Sequence, residues 1–96
     1  MLIFKTKNDM KKFKDLEFKT HEVYPMYSTQ ATLNFENDYG ISVITRDCAY
    51  TSYNAPYEVA VLYKGELTYE THITNDVLGY QKEEDVTNIM IEIQKL

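Results

Sequence analysis

Tryptophan is absent from this chain, cysteine occurs once, proline twice and glycine three times in 96 residues. A single cysteine, Cys48, excludes an internal disulfide and a cysteine zinc cluster, and points to a reducing cytoplasm. So little glycine and proline excludes a disordered or fibrous chain. No apolar run approaches the ~20 residues that cross a bilayer, and residues 1–9 (MLIFKTKND) lack a signal peptide's long apolar segment. Three dispersed glycines cannot build a phosphate-cradling loop, and no dinucleotide fingerprint, Walker lysine or serine-hydrolase elbow occurs. What is present is a hydrophobic share of 44% with nine tyrosines and four phenylalanines. A chain of this size buries roughly 60–70% of its unfolded surface, so residues 1–96 are expected to form one domain without staples.

The formal net charge of −5 hides a gradient. Residues 1–19 carry six lysines against three acids, and residues 20–96 carry four cations against twelve acids. Nucleic-acid binding normally requires a basic surface, which the bulk of this chain does not offer. An acidic body suits a basic protein surface, or plain solubility.

Along the chain, Met1–Lys5 reads as a short strand. Asn8 is placed to cap a helix over residues 9–17, with Met10, Phe13 and Leu16 on one side and Lys11, Lys12 and Lys14 on the other. Residues 18–30 read as an edge strand interrupted at Pro25. Ala31, Leu33 and Phe35, then Ile41 and Val43, alternate with polar residues around Asn37-Asp38-Tyr39-Gly40, which predicts a hairpin. A five-residue loop over 36–40 would set Phe35 opposite Ile41 and Leu33 opposite Val43 on one buried face. A second hairpin, Tyr57–Ile73, turns at Lys64-Gly65. A two-residue loop there would force Lys64 to positive φ, so the expectation is a three-residue loop, Tyr63-Lys64-Gly65, with a bulge. That register pairs Val61 with Leu67 and Val59 with Tyr69, and sets Glu58 against Glu70. Residues 74–79 read as a capped turn closed by a left-handed Gly79. In the last segment, Glu83, Glu84 and Asp85 open a helix, Lys95 closes it, and Val86, Ile89, Met90, Ile93 and Leu96 form its apolar stripe. The expected fold is α+β, a two-layer sandwich in which two helices cover one face of an antiparallel sheet of four to five strands.

Catalytic spacing is sparse. Nucleophilic chemistry would need Cys48 near His21 or His72, and the adjacent Asp47 disfavours a thiolate. His21, Glu22 and His72 are too scattered to announce a metal site, and no cofactor is expected. Two features point instead to recognition. Glu58 and Glu70, side by side on an open sheet face, would hold a lysine or arginine of a partner unless Arg46 neutralises them within the chain. Tyr50, Tyr53 and Tyr57 lie in a loop rich in Ser and Asn, the composition of recognition loops, although tyrosines capping a small core give the same pattern.

The stretch YEVAVLYKGELTYETHITNDVLGY at 57–80, with Glu83-Glu84-Asp85-Val86 after it, resembles small uncharacterised proteins encoded by phages and prophages of low-GC Gram-positive and gut bacteria. They carry a similar YEVAVL…G.L.Y.T.IT.DVLGY…EEV pattern. The resemblance spans roughly a third of the chain and rests on structural motifs, so no catalytic residue comes with it. It implies a mobile-element protein acting in the cytoplasm of a bacterial host, and small acidic phage proteins of this size often inhibit host systems by binding them. The reading is therefore a non-enzymatic protein-binding module using Tyr50, Tyr53, Tyr57, Glu58 and Glu70. A homodimer joined through an edge strand at Met1–Lys5 or near Tyr24 is the alternative, and a small Cys/His enzyme is a third.

Overall fold

A computed structural model of the chain describes residues 9–20, 29–45 and 51–96. The expected strand Met1–Lys5, the cap Asn8, the interruption at Pro25, and His21, Glu22, Arg46, Asp47, Cys48 and Tyr50 lie outside those residues. Six strands form one antiparallel sheet: β1 (Lys19–Thr20), β2 (Thr29–Asn34), β3 (Tyr39–Thr45), β4 (Tyr57–Tyr63), β5 (Glu66–Leu67) and β6 (Leu78–Gln81). They pair in the order β1-β2-β3-β4-β5, and β6 joins β4 on the edge that β5 leaves free. Among the described residues there is one α-helix, α1 (Glu83–Gln94), which packs on β3 and β4. The α+β class and the antiparallel sheet therefore hold, but the expected second helix does not.

In residues 9–17 the two expected α-helical turns are replaced by 3-10 geometry, with a 3-10 turn at Phe13–Asp15. Met10, Phe13 and Leu16 recur every three residues, a spacing that fits three residues per turn as well as it fits an α-helix. The backbone's hydrogen bonds also go elsewhere. Gln94 Nε2 donates to the Lys11 carbonyl (2.8 Å) while its Oε1 accepts from the Lys11 N–H (2.8 Å), so one side chain stands in for a neighbouring strand. The Phe13 N–H donates to Thr87 Oγ1 at 3.0 Å. The segment is thus strapped along α1, and Phe13 and Leu16 still reach the core.

The first hairpin is tighter than expected. Leu33 lies opposite Ile41, Ala31 opposite Val43 and Asn34 opposite Gly40, and the Phe35 N–H donates to the Tyr39 carbonyl. The loop is three residues, 36–38, with Asp38 at a φ of 72°. This shifts the predicted register by two, which keeps every side chain on its expected face. Gly40 is required where the strands meet. A Cβ there would stand 2.6 Å from the Leu33 carbonyl oxygen and 2.7 Å from Asn34 Oδ1.

The second hairpin corrects a choice of loop. Tyr63 lies opposite Glu66 and Leu62 opposite Leu67, so the connection is two residues long, with Lys64 at φ 52° and Gly65 at φ 84°. Positive φ at both central residues defines a type I′ turn, whose twist suits the flanking strands. Lys64 accepts the left-handed conformation, and its N–H donates to the Asp38 carbonyl at 2.8 Å, tying the two hairpin tips together. The slip relative to expectation is one residue, so it does change faces. Val61 faces Thr68, and Leu67 moves off the core side.

Beyond Thr68 the chain leaves β4. At Val59 the partner is Leu78 of β6, not Tyr69, and at Tyr57 it is Gln81. One β4 residue, Glu58, therefore spans two of β6, Gly79 and Tyr80, and this bulge puts Tyr80 at φ 56°. Gly79 sits inside β6, and the turn before it is fastened by Thr74, whose hydroxyl accepts from the Asp76 N–H and donates to the Asp76 carbonyl.

The core lies between α1 and the sheet. Ile41, Val43, Val59 and Val61 meet Val86, Met90 and Ile93, all fully buried, with Ile89 and Leu96 packed against them as the helical stripe predicts. Glu83, Glu84 and Asp85 occupy the first turn, where the helix dipole favours acids, and Asp85 Oδ2 accepts from the Lys82 N–H. At the other end Asn37 Nδ2 donates to the carbonyls of Ile93 (2.9 Å) and Leu96 (3.4 Å), covering groups that a helix terminus leaves without partners. Lys95 lies just past the helix and bridges Glu92 at 3.4 Å.

Candidate functional site

Of the five residues read as a recognition surface, Tyr50 lies outside the described residues, and Tyr53, Tyr57, Glu58 and Glu70 do not converge. Tyr53 is 99% exposed. It occupies the tip of a tight turn closed by paired backbone hydrogen bonds between Ser52 and Ala55. Tyr57 does the opposite and packs. Its ring lies 5.1 Å from that of Phe13 and 5.8 Å from that of Phe18, an aromatic triad closing one end of the core. Burial first, and then the nearby Glu83 carboxylate, raise the Tyr57 hydroxyl's pKa above its ordinary value. The core-capping alternative therefore describes Tyr57, whereas Tyr53 projects from an exposed turn.

The carboxylate pair is not formed. With the two-residue turn and the departure of the chain after Thr68, β6 runs beside Glu58 where Glu70 was expected. Glu58 is partly buried on β4, and Glu70 is exposed beyond β5. The expected register carried its own warning, since like charges face to face are unfavourable. His72 is exposed, and no cluster of three or more His, Cys, Asp or Glu side chains placed to hold a metal occurs among the described residues. Nor, among those residues, is any helix long and apolar enough to cross a membrane.

Other exposed side chains lie at the tip of the β4–β5 hairpin, Tyr63 on one face and Leu67 on the other. Tyr63 (41% exposed), Leu67 (57%) and Tyr69 (44%) present large apolar side chains to water within seven residues of sequence. Tyr39, directly across from Tyr63 on β3, packs against it with ring centroids 4.8 Å apart and the planes tilted by 51°. Tyr39 is itself packed against the core cluster, so the Tyr63 ring is held from behind by a fixed partner. Glu66 pairs with Tyr63 across the turn, and paired residues project to the same side of a sheet. Over the ring stands the Lys64 ammonium, 5.4 Å from its centroid. Glu66 and Glu70 are exposed on either side of Leu67 and Tyr69.

Sequence reasoning missed this patch because the loop length was wrong by one. In the bulged register Leu67 faces Val61 and the core, and in the observed one it faces Leu62 on the other side. The signal was the Glu58–Glu70 conflict itself, which only the shorter loop removes. A polar groove of about 240 Å³ lies against the paired strands β1 and β2 and is lined by Glu17, Lys19, Thr20, Gln30 and Thr32. No protein family, curated protein or solved structure matches the chain.

Proposed function

We propose that this chain is a non-enzymatic protein-binding module that docks through the tip of the β4–β5 hairpin, with Tyr53 as an outlying contact. The observation that carries the reading is the exposure of Tyr63 beside Glu66 on one face of the hairpin tip and of Leu67 on the other, with exposed Tyr69 and Glu70 following in the chain. Exposed apolar side chains set among polar ones at a hairpin tip suit an interaction site that grips the tip from both faces, and tyrosine is among the residue types enriched as interface anchors. The acidic balance of residues 20–96 favours a partner with a basic surface over nucleic acid. Resemblance of residues 57–80 to phage-encoded proteins makes a bacterial host protein the partner to seek, inhibition the mode of action and the host cytoplasm the place.

Self-association through this edge is disfavoured on charge. An antiparallel pairing of residues 66–70 with a second copy would set Leu67 against Tyr69, but it would also set Glu66 against Glu70 twice. A photo-crosslinking residue at Leu67, expressed in bacterial cells, tests the proposal against the same residue at Asn88 on the exposed side of α1. The expected result is one saturable heterologous adduct at 67 and none at 88. Equal labelling at both positions, or only dimers of the chain, contradicts it.

A further inference from the structure

We infer that the face of the Tyr63 ring, backed by Tyr39 and flanked by Glu66, is a receptor for a cationic side chain of the partner, and that Lys64 occupies it in the free protein. This deepens the docking proposal above and rests on it. The Lys64 ammonium stands 5.4 Å from the Tyr63 centroid, inside the roughly 6 Å range in which a ring attracts a cation. The same ring is fixed by the 4.8 Å contact with Tyr39, so little freedom is lost when a second cation takes the place. Glu66, opposite Tyr63 across the turn, adds a carboxylate on that side. A planar guanidinium uses both groups at once, stacking on the ring while donating to the carboxylate, which a lysine ammonium does less well. The occupant that fits is therefore an arginine on a basic segment of another protein.

The turn makes Lys64 the natural competitor. It lies at φ 52° in the type I′ turn, next to the ring it covers, so its displacement needs only a side-chain rotation. Replacing it by Asn removes the ammonium and supplies the residue that this turn position prefers, so the Lys64→Asn variant is expected to fold at least as well as the parent.

The test uses the whole chain and the peptide acetyl-Gly-Arg-Gly-Arg-Gly-amide, with the citrulline peptide as its neutral isostere, followed by amide and tyrosine-ring NMR shifts. The inference expects shifts concentrated at Tyr39, Tyr63 and Glu66 with the arginine peptide and none with the citrulline one. It expects Lys64→Asn to tighten binding about two- to fivefold, and Glu66→Gln to weaken it by a similar factor. Lys14→Gln, which deletes the same charge from the exposed 3-10 turn, should change affinity by less than about half as much. Shifts centred on Glu83–Asp85, equal binding of the citrulline peptide, or no tightening in Lys64→Asn beyond that of Lys14→Gln would overturn it. Such a result alongside a specific adduct at position 67 removes the arginine receptor and leaves the docking surface standing.

Discussion

Among the described residues, three other than glycine take positive φ: Asp38, Lys64 and Tyr80. Each marks a place where chain geometry overrides side-chain preference, and at Lys64 the cost is removable. A lysine in the left-handed region gives up roughly 1 kcal/mol relative to residues that visit it readily. Lys64→Asn is therefore expected to stabilise the fold by about 0.5–1 kcal/mol, seen as a higher denaturant midpoint at unchanged m-value. A lower midpoint would mean that the Lys64–Tyr63 contact outweighs the backbone strain. Tyr57 supplies a second prediction at this scale. Its raised pKa means that the folded chain keeps the phenolic proton where the unfolded chain begins to lose it. The associated stabilisation is whole below the unfolded value of about 10 and is lost as pH rises through the higher folded value. Removing the Glu83 carboxylate with Glu83→Gln should lower the Tyr57 titration midpoint, read from the ring carbon shift of labelled tyrosine. Burial, the larger cause, persists in that variant, so the midpoint should still exceed the ordinary tyrosine value of about 10.

Among the elements, β4 is the one on which the others depend. It pairs with β3 along seven residues, carries β5 and β6 in succession on its other edge, and lends Val59 and Val61 to the core. The junction of β2 and β3 is its counterpart in tightness. Gly40→Ala would drive a Cβ against the Leu33 carbonyl, and backbone cannot step aside as a flexible side chain can. A loss of about 1–3 kcal/mol is expected in chemical denaturation, and a loss under ~0.5 kcal/mol would show that the strands separate freely. Much of this layer was legible in the sequence. Strand alternation located β2, β3 and β4, and the spacing of Val86, Ile89, Met90 and Ile93 located α1, because one buried face imposes one period. Loop lengths were less legible. Phe35 and Leu67 are apolar whichever way the chain turns, and the deciding interactions are backbone bonds such as Lys64 N–H to the Asp38 carbonyl, which connect different hairpins. The lost helix at 9–17 has the same origin. Gln94 lies 83 residues from Lys11, and no local pattern announces that it will hold the Lys11 backbone. Of the candidate site, the exposure of Tyr53 followed from its loop. The patch at the β4–β5 tip depended on the register and so stayed hidden.

At the scale of the whole molecule, charge and apolar exposure are separated from the packed machinery. The helix buries its stripe and the aromatic triad of Phe13, Phe18 and Tyr57 closes the core. Among the described residues the tyrosines left in water are Tyr53 on its turn, Tyr63 at the hairpin tip, Tyr69 after β5 and Tyr80 at the β6 bulge. Because edge-to-edge pairing there opposes Glu66 to Glu70, light scattering at about 100 μM is expected to give the mass of a monomer. A concentration-dependent dimer would shift the reading toward self-assembly. The most direct measurement of the central claim is the affinity of the protein captured at position 67 for the parent chain and for the Tyr63→Ser/Leu67→Ser double variant, with the fold of both checked by amide NMR. Docking through the β4–β5 tip predicts that the double variant binds at least about tenfold more weakly. Equal affinity, within twofold, would contradict it.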